Sequence, residues 1–534
     1  MSLDSMILNF LKRELEQDIS KTLFVFCCAL VLIILAQYLI KVIIENLRLP
    51  PGPYGIFPFG ILKLIGAEKH KSFMKLAATY GPLFSCKLGQ QLHIVISDYK
   101  LIREIFKKES LTGRPRTLLC SELNGIGFIN TDGKLWKDQR RFLHEKLRRF
   151  GMTLVGSKNT KLQNLITNEV DDLISNLSNE TSHTVDLDPF FAVSVSNVIC
   201  NLLMSVRFTR DDPKFIKFNR MIDEGMILFG QIYTIDYFPV TQYLPGMKSA
   251  RNQIAENRRE MFSFYKEVIE DHKKNFDSNN IRDLVDAYLM EIETAKLNNS
   301  EHELFEGNKH EEQIMQVIGD LFSAGMETIK TTLLWLIVYM LRNPDARKQV
   351  QDELDDVVGR NRMPKVSDLP FCPKTESTIL EVMRMSSIVP LATTHSPMID
   401  EEINGYKIPA GCHVIPLINS VHMDPTLWDK PEEFRPSRFL NAEGKVEKPE
   451  YFIPFGVGRR MCLGDVLARI ESFLFFSSMM HRFDISLPTG AELPSLNGNP
   501  GVTIYPNKFS VCLKERELEA LSDELAPLRA FGAN

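Results

Sequence analysis

A single cysteine, Cys462, lies between glycines in the run Phe455-Gly456-Val457-Gly458-Arg459-Arg460-Met461-Cys462-Leu463-Gly464, directly before a helical pattern from Asp465 to Arg482. Gly458 and Gly464 free the backbone for a tight loop or a close approach. A sulfur at the end of such a loop faces amide N–H groups and a helix N-terminus, which favour the thiolate, the form that binds a metal such as iron. A second reactive pair, Glu327-Thr328, follows the small residues Ala324 and Gly325 inside a helical stretch from about Lys309 to Arg342, which Asn343-Pro344 ends. An acid next to a hydroxyl can pass protons, directly or through water. Trp136 and Arg140 are spaced to share one helix face, as are Glu381 and Arg384.

Taken together these motifs resemble the cytochrome P450 family. The Cys462 run matches the haem-binding signature Phe-x-x-Gly-x-Arg-x-Cys-x-Gly, and the match continues through Ala468-Arg469 and Glu471. The resemblance makes Cys462 the proximal ligand of haem iron. Ala324-Gly325-Met326-Glu327-Thr328 resembles the family's dioxygen-protonating element, although Ile329 stands where a second hydroxyl is common. Pro431-Glu432-Glu433-Phe434-Arg435-Pro436-Ser437-Arg438-Phe439 resembles the segment whose Arg closes on the helix pair, so Glu381, Arg384 and Arg438 are expected to form a buried structural triad. By the same resemblance Trp136, Arg140, Arg460 and His395 bind the haem propionates. Ser396 departs from the Arg usual after that His, and some relatives carry an Arg where this chain has Asn124.

The elements needed to hold these residues imply a mainly α fold with a small β region. Gly89 to Ser97 reads as a half-buried strand, and Gly501 to Cys512 as a C-terminal hairpin. The chain has 534 residues, 44% of them apolar, and the motifs span Trp136 to Glu471 in one arrangement. We therefore expect one large haem-thiolate catalytic domain over 57–516, followed by a tail, 517–534. A net charge of −5 argues against a nucleic-acid partner, and nine cysteines without a pairing pattern suit a reducing compartment. After an N-terminal segment, 1–21, the apolar stretch Thr22 to Ile40 has the length of a membrane-spanning helix, giving an anchor over 22–44 and a proline hinge over 45–56. Asp4, Glu14, Glu16 and Asp18 speak against a mitochondrial presequence.

The microsomal members of the family share this layout, which implies an endoplasmic reticulum anchor with the catalytic domain in the cytosol. It also implies haem b as cofactor, dioxygen as co-substrate, and electrons from NADPH through cytochrome P450 reductase, with cytochrome b5 as a further donor. The apolar, proline-bounded loop around Tyr237 to Pro245 corresponds to the family's pocket cover, which touches membrane lipid. Lys134, Lys137, Arg141, Lys146, Arg148 and Arg149 form a basic patch beside Trp136 and Arg140, on the side where related enzymes dock the reductase. The stretch Trp136 to Met152 and the tail after Cys462 look like the insect enzymes that hydroxylate ecdysteroids at carbon 26. That reading implies a lipophilic substrate such as 20-hydroxyecdysone and inactivation of the hormone. Other insect steroid, juvenoid or xenobiotic hydroxylases remain alternatives, as does a non-redox haem-thiolate isomerase or a non-catalytic haem or lipid-binding protein. Retention of Glu327-Thr328 argues against the isomerase, which needs no such pair.

Overall fold

The structure is a computed structural model, described over residues 47–118, 125–152, 160–181, 183–307 and 309–516, with a few positions between 26 and 37. Most of the anchor stretch, Asn124 and the tail 517–534 lie outside the described residues. The fold is mainly α with small sheets, as expected. The helices that matter for the site are α1 (Gly133–Arg149), α2 (Asp188–Met204), α3 (Pro213–Tyr237), α4 (His310–Arg342), α5 (Pro373–Ser386) and α6 (Asp465–Arg482).

α4 is the central element. Its 33 residues span about 50 Å at 1.5 Å per residue. Its C-terminal half, from Leu333 to Leu341, is buried on every face. Glu311 and Glu312 occupy its first turn, where carboxylates suit the helix dipole. Pro344 begins the next helix, because a proline fits the first turn, whose N–H has no intrahelical partner. α4 has the length and apolarity of a membrane span, but 72% of that window is buried inside the protein, so it is a core helix. It packs against α2, α5 and α6, and these helices share the largest hydrophobic cluster.

Beside this helical body lies a three-stranded sheet with β1 (Leu83–Leu88) antiparallel to β2 (Gln91–Ile96), which pairs in parallel with β3 (His413–Pro416). β2 is the expected strand, yet its last four residues are all buried and do not alternate, since it lies between two partners under helices. The C-terminal hairpin departs from expectation. The turn is confined to Asn499–Pro500 pairing with Ile504–Tyr505, while Val511–Glu515 pairs with Phe483–Ser486, the strand that continues α6. Val511 and Leu513 of the last strand thus join the largest hydrophobic cluster, a long-range gain that local turn chemistry does not encode.

Two devices tie these parts together. On α5, Glu381 and Arg384 are fully buried, with Arg384 Nε 2.8 Å from Glu381 Oε2 and Arg438 Nε 2.9 Å from Oε1. The Arg435 N–H also donates to Oε1 at 2.9 Å. Arg384 and Arg438 extend the network to the carbonyls of His422 and Glu433, at 2.8 and 3.0 Å. The second device is His422, whose Nε2 accepts from the Ile453 N–H at 3.1 Å, so its ring proton sits on Nδ1 and donates to Ser387 Oγ at 2.9 Å. Burial, reinforced by the Arg384 charge, pushes His422 down from 6.5 to about 3. Its contribution to stability is therefore complete above about pH 6.5 and is lost as pH falls towards 3, at about 1.4 kcal/mol per pH unit. Equilibrium unfolding between pH 6.5 and 4 should be less steep by about that amount in His422→Phe, and the slope that remains comes from other buried histidines such as His93 and His395.

Candidate functional site

The loop before α6 is built by two left-handed glycines, but not the pair expected from the sequence. Gly456 and Gly458 have φ of 71° and 80°, whereas Gly464 has φ of −96° and no crowding neighbour among the described residues. At Gly458 a Cβ would lie 2.1 Å from the Phe106 carbonyl, so only glycine lets this turn approach the end of the helix Tyr99–Ile105. The Cys462 N–H donates to the Phe455 carbonyl at 3.0 Å and closes the loop. Cys462 is surrounded by protein, and the surface it exposes is the wall of a cavity between α4 and this loop. Burial pushes its thiol up, against the pull of the Gly464 N–H and Arg140. The amides and helix terminus therefore do not produce a thiolate by themselves; a bound metal cation would, since coordination deprotonates a thiol outright.

Across the cavity stands α4, with Ala324, Gly325 and Thr328 on the wall. A Cβ on Gly325 would meet Ile199 of α2 at 3.1 Å, so this glycine also lets α2 pack closely. Thr328 Oγ1 donates to the Ala324 carbonyl at 2.8 Å. Glu327 does not line the cavity. Its Oε1 accepts from Thr503 at 3.0 Å and Thr331 at 3.3 Å, and its Oε2 lies 3.3 Å from Lys330 Nζ. The turn of the helix, about 100° per residue, puts Ala324, Gly325, Thr328 and Ile329 on the cavity side and leaves Glu327 at its margin, turned to Lys330.

Trp136, Arg140, His395 and Arg460 converge at one edge of the same cavity. Arg460 stacks 4.0 Å from the Trp136 ring and donates to the Thr112 carbonyl at 2.8 Å and to the Thr131 carbonyl. Arg140 Nη2 donates to the Met461 carbonyl at 2.8 Å, joining α1 to the Cys462 loop. Sequence reasoning missed a further cation, Arg114, which is buried on the cavity wall and donates to the carbonyls of Ile129 and Thr394, both at 2.9 Å. It belongs to no periodic pattern, and only its burial reveals it. Asp320 of α4 was missed as well: it accepts from the N–H groups of Phe128 and Ile129, at 2.7 and 3.0 Å. It thereby pins the segment whose carbonyls hold Arg114 and Arg460.

These residues fit a haem with two carboxylate arms. Burial, then the charges of Arg114 and Arg140 against the help of Asp132, pushes Arg460 down to about 8. His395 falls to about 3 through burial and the same crowding by Arg114 and Arg460. Its Nδ1–H donates to the Leu111 carbonyl at 2.7 Å, leaving Nε2 as the second polar atom of the ring. Among the described residues the buried Trp136 Nε1 has no hydrogen-bond acceptor. A group bringing two negative charges would supply that acceptor, offset the repulsion and let His395 take a proton.

A family model described as Cytochrome P450 matches residues 50–513. Across its full length the chain is 60% identical to Cytochrome P450 18a1 of Drosophila melanogaster, covering all of that protein. It is 36% identical to Cytochrome P450 2U1 of Rattus norvegicus over 84% of this chain and 83% of that one. It is also 33% identical to a Vitamin D(3) 25-hydroxylase of Sus scrofa over 88% of this chain and 93% of that one. The chain belongs to the cytochrome P450 family of haem-thiolate monooxygenases.

Proposed function

We propose that this enzyme hydroxylates an ecdysteroid, 20-hydroxyecdysone, at carbon 26 and so inactivates the hormone. The observation that carries the reading is the resemblance of Trp136 to Met152 and of the tail after Cys462 to the ecdysteroid 26-hydroxylases. Identity of 60% to a single insect protein over the whole chain agrees with it. A cavity walled near Cys462 by apolar groups such as Ile199, Leu202, Leu321 and Val389 suits an unactivated C–H bond.

Cys462 would hold the haem iron, and Trp136, Arg114, Arg140, His395 and Arg460 its propionates. When bound, that group activates dioxygen with two electrons, placing one oxygen atom on carbon and releasing the other as water. The chain's own part is to exclude water with the apolar wall and to move protons. Thr328 Oγ1 would give its proton inward after turning from the Ala324 carbonyl, and a proton that Glu327 takes up from solvent on the outer side would replace it through water. Incubation with reductase, NADPH and 20-hydroxyecdysone should yield a more polar 26-hydroxy or 26-carboxylic product. Recovery of unchanged hormone alongside oxidation of unrelated lipophilic compounds would favour a broad xenobiotic oxidase.

We further propose an anchor over 22–44, a hinge over 45–56 and a cytosolic catalytic domain over 57–516 at the endoplasmic reticulum. The acceptor residues Asn176, Asn179 and Asn298 are exposed, so a luminal domain would carry glycans there. Mass spectrometry of protein from insect cells should find all three unmodified; glycans would reverse the orientation. For the electron donor, α1 offers an outward basic face. Lys134, Lys137, Arg141, Arg148 and Arg149 are exposed, while Trp136 turns inward. Asp138 sits 3.1 Å from Lys134 and 3.3 Å from Arg141, so part of the charge is already paired. Lys137→Glu with Arg141→Glu should slow reductase-supported turnover, most at low salt. Peroxide-driven turnover should be spared; an equal loss in both would place the damage in the haem site.

A further inference from the structure

The motif around Thr328 contains a charge that proton delivery through Glu327 and Thr328 does not by itself require. Lys330 is buried in the interior of α4, 5% exposed, where an unpaired ammonium would be costly. Three carboxylates from three helices meet it: Glu327 at 3.3 Å, Asp188 at the start of α2 at 3.5 Å, and Asp223 of α3 at 3.5 Å. Burial works against the Lys330 charge, but Glu327, Asp188 and Asp223 outweigh it and hold the ammonium protonated. The four groups form a graded path. The side chains of Asp188 and Asp223 are 42% and 47% exposed, those of Lys330 and Glu327 only 7% and 10%. Burial also raises Asp223, against the pull of Lys330, so this half-exposed acid holds a proton more readily than a free carboxyl.

We propose that Lys330 is a positioning residue for proton delivery: its ammonium keeps the Glu327 carboxylate on the outer face of α4, against the solvent-reaching acids Asp223 and Asp188 and behind Thr328. The inference rests on the reading that Glu327 and Thr328 protonate reduced dioxygen. Within that reading, Lys330 explains how a carboxylate that does not face the cavity still serves it. Glu327 stays in contact with the side from which water can reload it, and Thr328 alone presents a proton inward. Thr503 and Thr331 fix the other oxygen of the same carboxylate, so its orientation depends on Lys330 at Oε2 and on hydroxyls at Oε1. Freed from Lys330, Glu327 loses that orientation, and electrons from NADPH are lost as peroxide.

The test uses the full-length haem-loaded enzyme with reductase, reading product formed per NADPH consumed and, separately, peroxide-driven turnover, which needs no protonation of dioxygen. Lys330→Met should lower coupling about tenfold, the usual scale for a residue that orients a working group, with the balance appearing as peroxide. Peroxide-driven turnover should stay near wild type. Lys330→Arg should restore coupling, and Lys330→Met combined with Glu327→Gln should be no worse than Glu327→Gln alone. If Lys330→Met keeps its coupling while Glu327→Gln loses it, Lys330 is not the positioning residue although the proton reading stands. If Glu327→Gln and Thr328→Ala both keep coupling, the proton reading itself fails. Equal losses in NADPH-driven and peroxide-driven turnover would make Lys330 a structural residue only and overturn the proposal.

Discussion

Cys462→Ser is expected to abolish NADPH-supported and peroxide-driven turnover alike, because a serine oxygen stays protonated where a thiol can be ionised by the metal. The cavity should still attract haem weakly through Arg114, Trp136, Arg140 and Arg460, so loss of activity should exceed loss of bound haem. The contrast with the other thiols sharpens the expectation. Cys86, Cys372 and Cys412 are buried, and burial pushes each of them up to about 12, which makes them inert. Cys512→Ser, in the strand that continues the C-terminal sheet, should leave turnover near wild type. Activity retained in Cys462→Ser would contradict the assignment of the axial ligand.

The second large effect concerns stability. Glu381→Gln removes the one carboxylate shared by Arg384 and Arg438, whose side chains are 0% and 5% exposed. Breaking such a buried cluster leaves uncompensated charge and costs about 3–5 kcal/mol. That is a large share of the roughly 5–15 kcal/mol that holds a domain folded. The variant should express mainly as insoluble, haem-free protein, and its soluble fraction should melt well below wild type. Glu443→Gln is the control, since Glu443 pairs with Lys445 at the surface, with side chains 70% and 76% exposed, and should shift stability by less than about 1 kcal/mol. If Glu381→Gln matched that control, the triad would have no part in holding the fold.

The contrast between what sequence made legible and what it left hidden follows physical lines. Local geometry carries well. The bounds of α6 and α4 and the pairing of Glu381 with Arg384 follow from helical spacing and motif order. Direction within a motif carries less well. Glu327 and Thr328 are adjacent letters, yet the helix sends one to the cavity wall and the other to Lys330. The left-handed position at Gly456 rather than Gly464 is a property of the folded loop. Long-range pairing carries least: Val511–Glu515 joins Phe483–Ser486, and Arg114 enters the cavity because Asp320, some two hundred residues later, pins the segment between. Neither contact has a local signature.

The most direct measurement of the central claim is isotopic. The purified enzyme, reductase and NADPH are incubated with 20-hydroxyecdysone under ¹⁸O-labelled dioxygen, and the product is located by mass spectrometry. A monooxygenase of this substrate should place a single labelled oxygen at carbon 26 of the 26-hydroxy product. An alcohol oxygen drawn from water, label at another carbon, or hormone returned unchanged by an active preparation would contradict the account.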